Sequence, residues 1–121
     1  NLPKDLVPYW DFEFSDPSTE SRDSSAAAIA VCGILEMCKY LEKEQKEKYR
    51  CVALKILKSL IDNYAAKDPK SSNGLLLHGV YAKGTPYNNC EDRNVDECNV
   101  WGDYFYLEAL MREVKDWKLY W

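Results

Sequence analysis

Few residues in this 121-residue chain are of a type and placement that could carry chemistry. Two carboxylates attract attention by position: Asp23 in "RDSSAAAIA" and Asp103 in "WGDYFYLEALMR" each stand at the head of an apolar run. A carboxyl group fixed by a fold transfers protons when a neighbour tunes its affinity. The same placement suits a helix start, where aspartate accepts free amide hydrogens and favours the helix dipole, and capping is the stronger reading of both. Ser24 and Ser25 lack a neighbouring base, so they read as helix-start residues rather than nucleophiles. His78, the single histidine, sits beside a glycine and reads as a side chain that holds a loop by hydrogen bonds, with proton transfer as the alternative. The cysteines number 5, an odd number with no CxxC pair and a single histidine beside them, which points to reduced cytosolic thiols. Cys32 and Cys38 fall on different faces of one predicted helix and should not bridge. Cys90 and Cys98 share a loop and could pair if oxidised, with free thiols as the stronger reading.

The elements that must position these groups are helical. A chain of this size can bury a real core. Its formal net charge of -4, with both signs interspersed, gives no basic stripe for nucleic acid. Neither a signal-peptide pattern nor an apolar run of membrane-spanning length occurs, so a soluble, cytoplasmic protein is expected. Residues 1–21 contain Pro3, Pro8 and Pro17 and read as an extended arm. A first helix is expected over 23–41, and it is apolar in nearly every direction, as a helix surrounded by protein would be. A second, over about 45–66, repeats Val52, Ala53, Ile56, Leu57, Leu60 and Ile61 at helical spacing between charged residues, which gives one buried stripe and one wet face. Residues 74–102 read as a long loop of the kind that is usually functional, and a last helix, again crowded with apolar residues, is expected over about 103–117. Buried, amphipathic and nearly buried helices in that order suit either a two-layer helical ring or a small helical bundle.

Four stretches carry a resemblance: "VPYWDF" (7–12), "RDSSAAAIAVCGILEM" (22–37), "LLLHGVY" (75–81) and "VDECNVWGDYFYLEALMR" (95–112). In order and spacing they resemble the carboxyl-terminal third of the unsaturated glucuronyl hydrolases, glycoside hydrolase family 88; the unsaturated rhamnogalacturonyl hydrolases carry looser versions of two of them. The resemblance implies an all-α fold, with residues 1–121 as one partial domain, the C-terminal fragment of an (α/α)6 barrel. It implies removal of a 4,5-unsaturated uronic acid from the nonreducing end of lyase-generated oligosaccharides, by hydration of the vinyl ether with an aspartate as general acid and base, and no cofactor. The alternative from another class is a non-catalytic helical module for interaction or self-association.

No word of this chain matches the surroundings of the family's key aspartates, so no catalytic residue is assigned here. Tyr81 matches a family tyrosine that lines the substrate pocket, and a phenol can pack on a sugar face and offer a hydroxyl. A Ser-x-x-Ser-x-Lys pattern, carried by members that favour sulfated fragments, is replaced by Ala82, Thr85 and Tyr87. Lys83 reads as a solvated loop lysine, with replacement of the lost charge as the alternative. Trp101 and Tyr104 read as core aromatics, with the sugar pocket as the alternative. By itself the chain is expected to be catalytically silent and to self-associate through its inner helices.

Overall fold

The computed structural model of the chain describes residues 2–70, 72–84 and 95–118. Helix α1, Ser24–Met37, begins where Asp23, in extended backbone, accepts hydrogen bonds from the amides of Ser25 and Ala26. Its alanines are the residues that lose least on becoming helical. It tightens into a 3-10 turn, Cys38–Tyr40. Helix α2, Lys43–Ser59, returns antiparallel and loosens into a π-helical turn, Leu60–Tyr64, closed by the bond from Ala65 N to Leu60 O at 2.9 Å. That wider turn swings Tyr64 into the core, so the element expected to run unbroken to residue 66 ends in a different geometry.

Helix α3, Val100–Val114, starts three residues before the expected position. Asn99 is its cap: Asn99 Oδ1 accepts from Gly102 N at 2.7 Å, which makes Gly102 part of the first turn instead of the break before it. Among the described residues the only extended pairings are isolated bridges, Tyr9 with Arg22, Ala65 with Leu76 and Gly79 with Glu97. The chain is all-α, as expected, and the arm of residues 2–21 is a succession of turns that buries Val7 and Tyr9.

One core joins the three helices. Ala27, Ala28 and Val31 of α1 meet Ala53, Ile56, Leu57 and Leu60 on one side and Tyr106 and Ala109 of α3 on the other, with Leu76 and Val7 closing the end. The small side chains let helix axes approach, while each large aliphatic that is fully buried contributes roughly 1.5 to 3 kcal/mol. Among the described residues α1 is not enclosed on all sides. Ile29 is 42% exposed, a side chain at Gly33 would meet nothing within 4 Å, and Met37, Leu107 and Val114 extend the uncovered apolar surface along both α1 and α3. α2, by contrast, buries Ala53, Ile56 and Leu57, with Leu60 in the turn that follows, beneath a charged outer face, whereas Val52 and Ile61 of the expected stripe are exposed.

Candidate functional site

The amino-terminal ends of α1 and α3 lie together, and the segment 74–81 is tied to them residue by residue. Asp103 Oδ1 accepts from Leu75 N at 2.9 Å and Leu76 N at 2.8 Å. Ser24 Oγ donates to Leu77 O at 2.6 Å, and Ser24 N donates to His78 O at 3.1 Å. Gly79 exchanges both amide hydrogen bonds with Glu97, at 2.7 and 2.9 Å. A Cβ at Gly79 would come within 2.5 Å of Asn99 Nδ2, so a larger residue there would displace the side chain that caps α3. Asp23 Oδ1, besides capping α1, reaches Val80 N at 3.4 Å.

The segment then releases Tyr81 into a cleft of about 440 Å³ lined by Tyr81, Glu97, Cys98, Asn99, Val100 and Trp101, a size within the range of small-molecule sites. Tyr81 is 66% exposed, and its ring leans on that of Trp101 with centroids 5.5 Å apart. Trp101 Nε1 donates to Ser25 Oγ at 3.2 Å, and Ser25 Oγ donates in turn to Asp23 Oδ1 at 2.6 Å.

The carboxylates singled out by position are therefore held by backbone amides. Asp23 is the expected cap of α1. Asp103 is not the cap of α3, which is Asn99; it lies one turn inside the helix and pins the returning segment 75–76. His78 does the loop-holding expected of it: its Nδ1 pairs with Asp96, its ring stands edge-on to Tyr64 at 5.7 Å, and both His78 and Asp96 take left-handed backbone with φ 64°. Lys83 is not a solvated loop lysine. It pairs with Glu20, whose other donor is Trp10 Nε1 at 2.8 Å; Lys83, and then Trp10, hold the Glu20 carboxyl below its usual range. Trp101 belongs to the cleft rather than the core, and Tyr104 lies on the uncovered face of α3. Thr85, Tyr87 and Cys90 lie outside the described residues; Cys32, Cys38, Cys51 and Cys98 are free thiols.

Two clusters had no signal strong enough to single them out beforehand. Near the arm, Arg22 contacts Asp5 at 3.2 Å and Asp16 at 3.4 Å and lies 3.8 Å over the Tyr9 ring. At the far end of the helix pair, Arg112 joins Glu108 at 2.8 Å and Glu36 at 2.6 Å; the Glu-x-x-x-Arg spacing of 108 and 112 was its one visible mark. Among the described residues no group of three or more His, Cys, Asp or Glu is arranged to hold a metal ion.

No family model matches the chain. It is 52% identical over 122 residues to the unsaturated chondroitin disaccharide hydrolase of Streptococcus pyogenes serotype M1, which covers 99% of this chain and 29% of that protein. It is 37% identical to the unsaturated glucuronyl hydrolase of Bacillus sp. (strain GL1), over 99% of this chain and 31% of that protein. Its backbone matches the unsaturated glucuronyl hydrolase of Streptococcus agalactiae complexed with dGlcA-GalNAc6S with a TM-score of 0.86 at 49% identity, over 99% of this chain and 31% of that one. These structural neighbours are (α/α)6 barrels. In sequence and in backbone alike, the chain is similar to unsaturated glucuronyl hydrolases over 99% of its length, and it spans 29% to 31% of the length of those curated relatives.

Proposed function

We propose that this chain is the carboxyl-terminal third of an (α/α)6 barrel of glycoside hydrolase family 88, and that the complete enzyme removes the 4,5-unsaturated uronic acid from unsaturated chondroitin-type disaccharides. In that reaction a proton adds to C4 of the vinyl ether, a water oxygen bonds to C5, and the resulting hemiketal opens to release the second sugar. The observation that carries this reading is the 52% identity to an unsaturated chondroitin disaccharide hydrolase over 99% of the chain. The local geometry supports a non-catalytic share in the work: Asp23 and Asp103 are committed to backbone amides, and Tyr81 is left free as a sugar contact. The free thiols support a cytoplasmic location.

Turnover by the complete enzyme is read as loss of the ultraviolet absorbance of the conjugated uronate. Tyr81→Phe weakens substrate handling by the roughly 0.5 to 1.5 kcal/mol of one neutral hydrogen bond, and Tyr81→Ala weakens it further by removing the ring. An enzyme inactive on every unsaturated glucuronyl disaccharide overturns the assignment, and wild-type kinetics in both variants remove Tyr81 from the pocket. The uncovered face bearing Ile29, Leu107 and Val114 is the surface for the remaining barrel helices. In the isolated chain a second copy is the available cover, so sedimentation at micromolar concentration gives a dimer or larger species; a strictly monomeric, folded particle contradicts this.

A further inference from the structure

Tyr81 does not face the cleft alone, and the ring beside it is held more firmly than Tyr81 itself. Trp101 sits in the first turn of α3, half-buried, with one edge anchored on Ser25 at 3.2 Å and its ring plane tilted 46° to that of Tyr81. A tryptophan needed only for packing would bury its rings, whereas this one lines the cleft. Ser25 is 2% exposed; its hydroxyl hydrogen is committed to Asp23 Oδ1 at 2.6 Å, which leaves the oxygen lone pairs directed to the indole N–H. The same Asp23 oxygen takes Val80 N, next to Tyr81, at 3.4 Å. One carboxylate thus sets both rings, Trp101 through Ser25 and Tyr81 through the backbone.

We propose that Trp101 and Tyr81 form a two-ring platform for the apolar face of a pyranose, and that Ser25 and Asp23 are positioning residues that fix its angle. Trp101 is the contact residue. Pyranose rings present C–H groups on their faces, and two aromatic rings set at an angle make a trough that holds one sugar against rotation as well as against departure. The Asp-Ser-Ser word then has a role beyond starting a helix: Ser24 holds Leu77, Asp23 holds Val80, and Ser25 holds the indole. The inference rests on the hydrolase reading given above and adds to it the residues that orient the sugar.

The test is made on the complete enzyme with the unsaturated chondroitin disaccharide. Trp101→Ala raises KM about tenfold, the equivalent of about 1.4 kcal/mol of lost contact, with kcat changed much less. Ser25→Ala and Trp101→Phe each remove the same hydrogen bond and each raise KM about three- to tenfold, the range for one neutral bond. The double variant is no worse than the more affected single one, because the shared bond is lost only once. Thermal midpoints measured alongside separate this from unfolding, since Trp101→Phe keeps a ring in place and melts near the wild type. A wild-type enzyme without turnover overturns the hydrolase reading. A wild-type enzyme with turnover, accompanied by an unchanged KM in Trp101→Ala or by fully additive effects in the double variant, overturns the platform alone.

Discussion

The two ends of the α1–α3 pair are both polar, and they are polar in different ways. At the amino-terminal end the side chains of Asp23, Ser24 and Asp103 bond to backbone amides and carbonyls of the segment 75–80. At the other end the bonds run between side chains: Arg112 Nη1 meets Glu36 at 2.6 Å and its Nη2 meets Glu108 at 2.8 Å, with Arg112 and Glu108 side chains only 5% and 2% exposed. A side chain bonded to backbone fixes where a loop lies and leaves that loop's own side chains free, so Tyr81 can face the cleft. A buried ion network does the reverse. It consumes the side chains it joins and fixes the register of α1 against α3. Cys32, whose Sγ donates to Phe105 O at 3.2 Å, shows how closed that interior is: burial first, then the charge of Glu108, pushes its thiol up to about 12. One end presents groups to a ligand, and the other holds the helices that present them.

The sharpest way to break this comparison is to remove one group from each end. Arg112→Ala leaves Glu108 buried without its cation, and losing one partner of a buried pair costs about 3 to 5 kcal/mol. Asp23→Ala costs about 0.5 to 2 kcal/mol, the value of a helix cap, yet it releases Val80 and Ser25 together. Urea unfolding should therefore show the much larger loss for Arg112→Ala, while KM for the disaccharide, in whatever folded enzyme remains, should rise only for Asp23→Ala. Equal losses of stability, or a raised KM in the Arg112 variant, would mean that the two ends do not divide the work.

How legible these ends were depended on the range of their contacts. Asp23 was readable because its main partners, Ser25 and Ala26, are two and three residues away, and the alanine-rich run that follows favours helix. The helix order and the buried centre of the α2 stripe, Ala53, Ile56 and Leu57, were readable for the same local reason, whereas the ends of that stripe, Val52 and Ile61, are exposed. Asp103 was misread because its partners, Leu75 and Leu76, lie 28 and 27 residues back along the chain, and no local pattern reports a returning segment. Asn99 was overlooked because residues 74–102 read as loop with the helix starting after Gly102, whose missing side chain in fact lets the cap and Ser25 lie close. Lys83 was taken for a solvated residue because Glu20 and Trp10 reach it from the arm. The family words carried Tyr81, but the Ser25–Trp101 bond spans 76 residues and becomes visible only when both helices are in place.

A smaller effect sharpens the comparison through pH. Glu36 is held below its ordinary carboxyl range by Lys39 first and Arg112 next, so the folded chain keeps this group ionised at a pH where the unfolded chain has begun to protonate it. A pKa depressed by folding contributes its stability above the unfolded value, and that contribution is lost as pH falls through the folded value. The window therefore opens near 4.5, the ordinary value for Glu36, and extends below it. Asp16, lowered by Tyr9 first and the Lys4 amide next from 3.8, and Glu20, lowered by Lys83 and Trp10 from 4.5, add contributions of the same sign from the arm, where solvent screens them more fully. Thermal melts should show a midpoint that is flat above this window and falls on acidification through it. Glu36→Gln should start from a lower midpoint at neutral pH and lose less on acidification, because the neutral amide has no proton to gain. Glu20→Gln should change the acid slope less, since its carboxylate joins only the arm and a loop lysine rather than two helices. An acid slope unchanged by Glu36→Gln but abolished by Glu20→Gln would place the pH-sensitive stability at the presenting end of the pair and reverse the division of labour between the two.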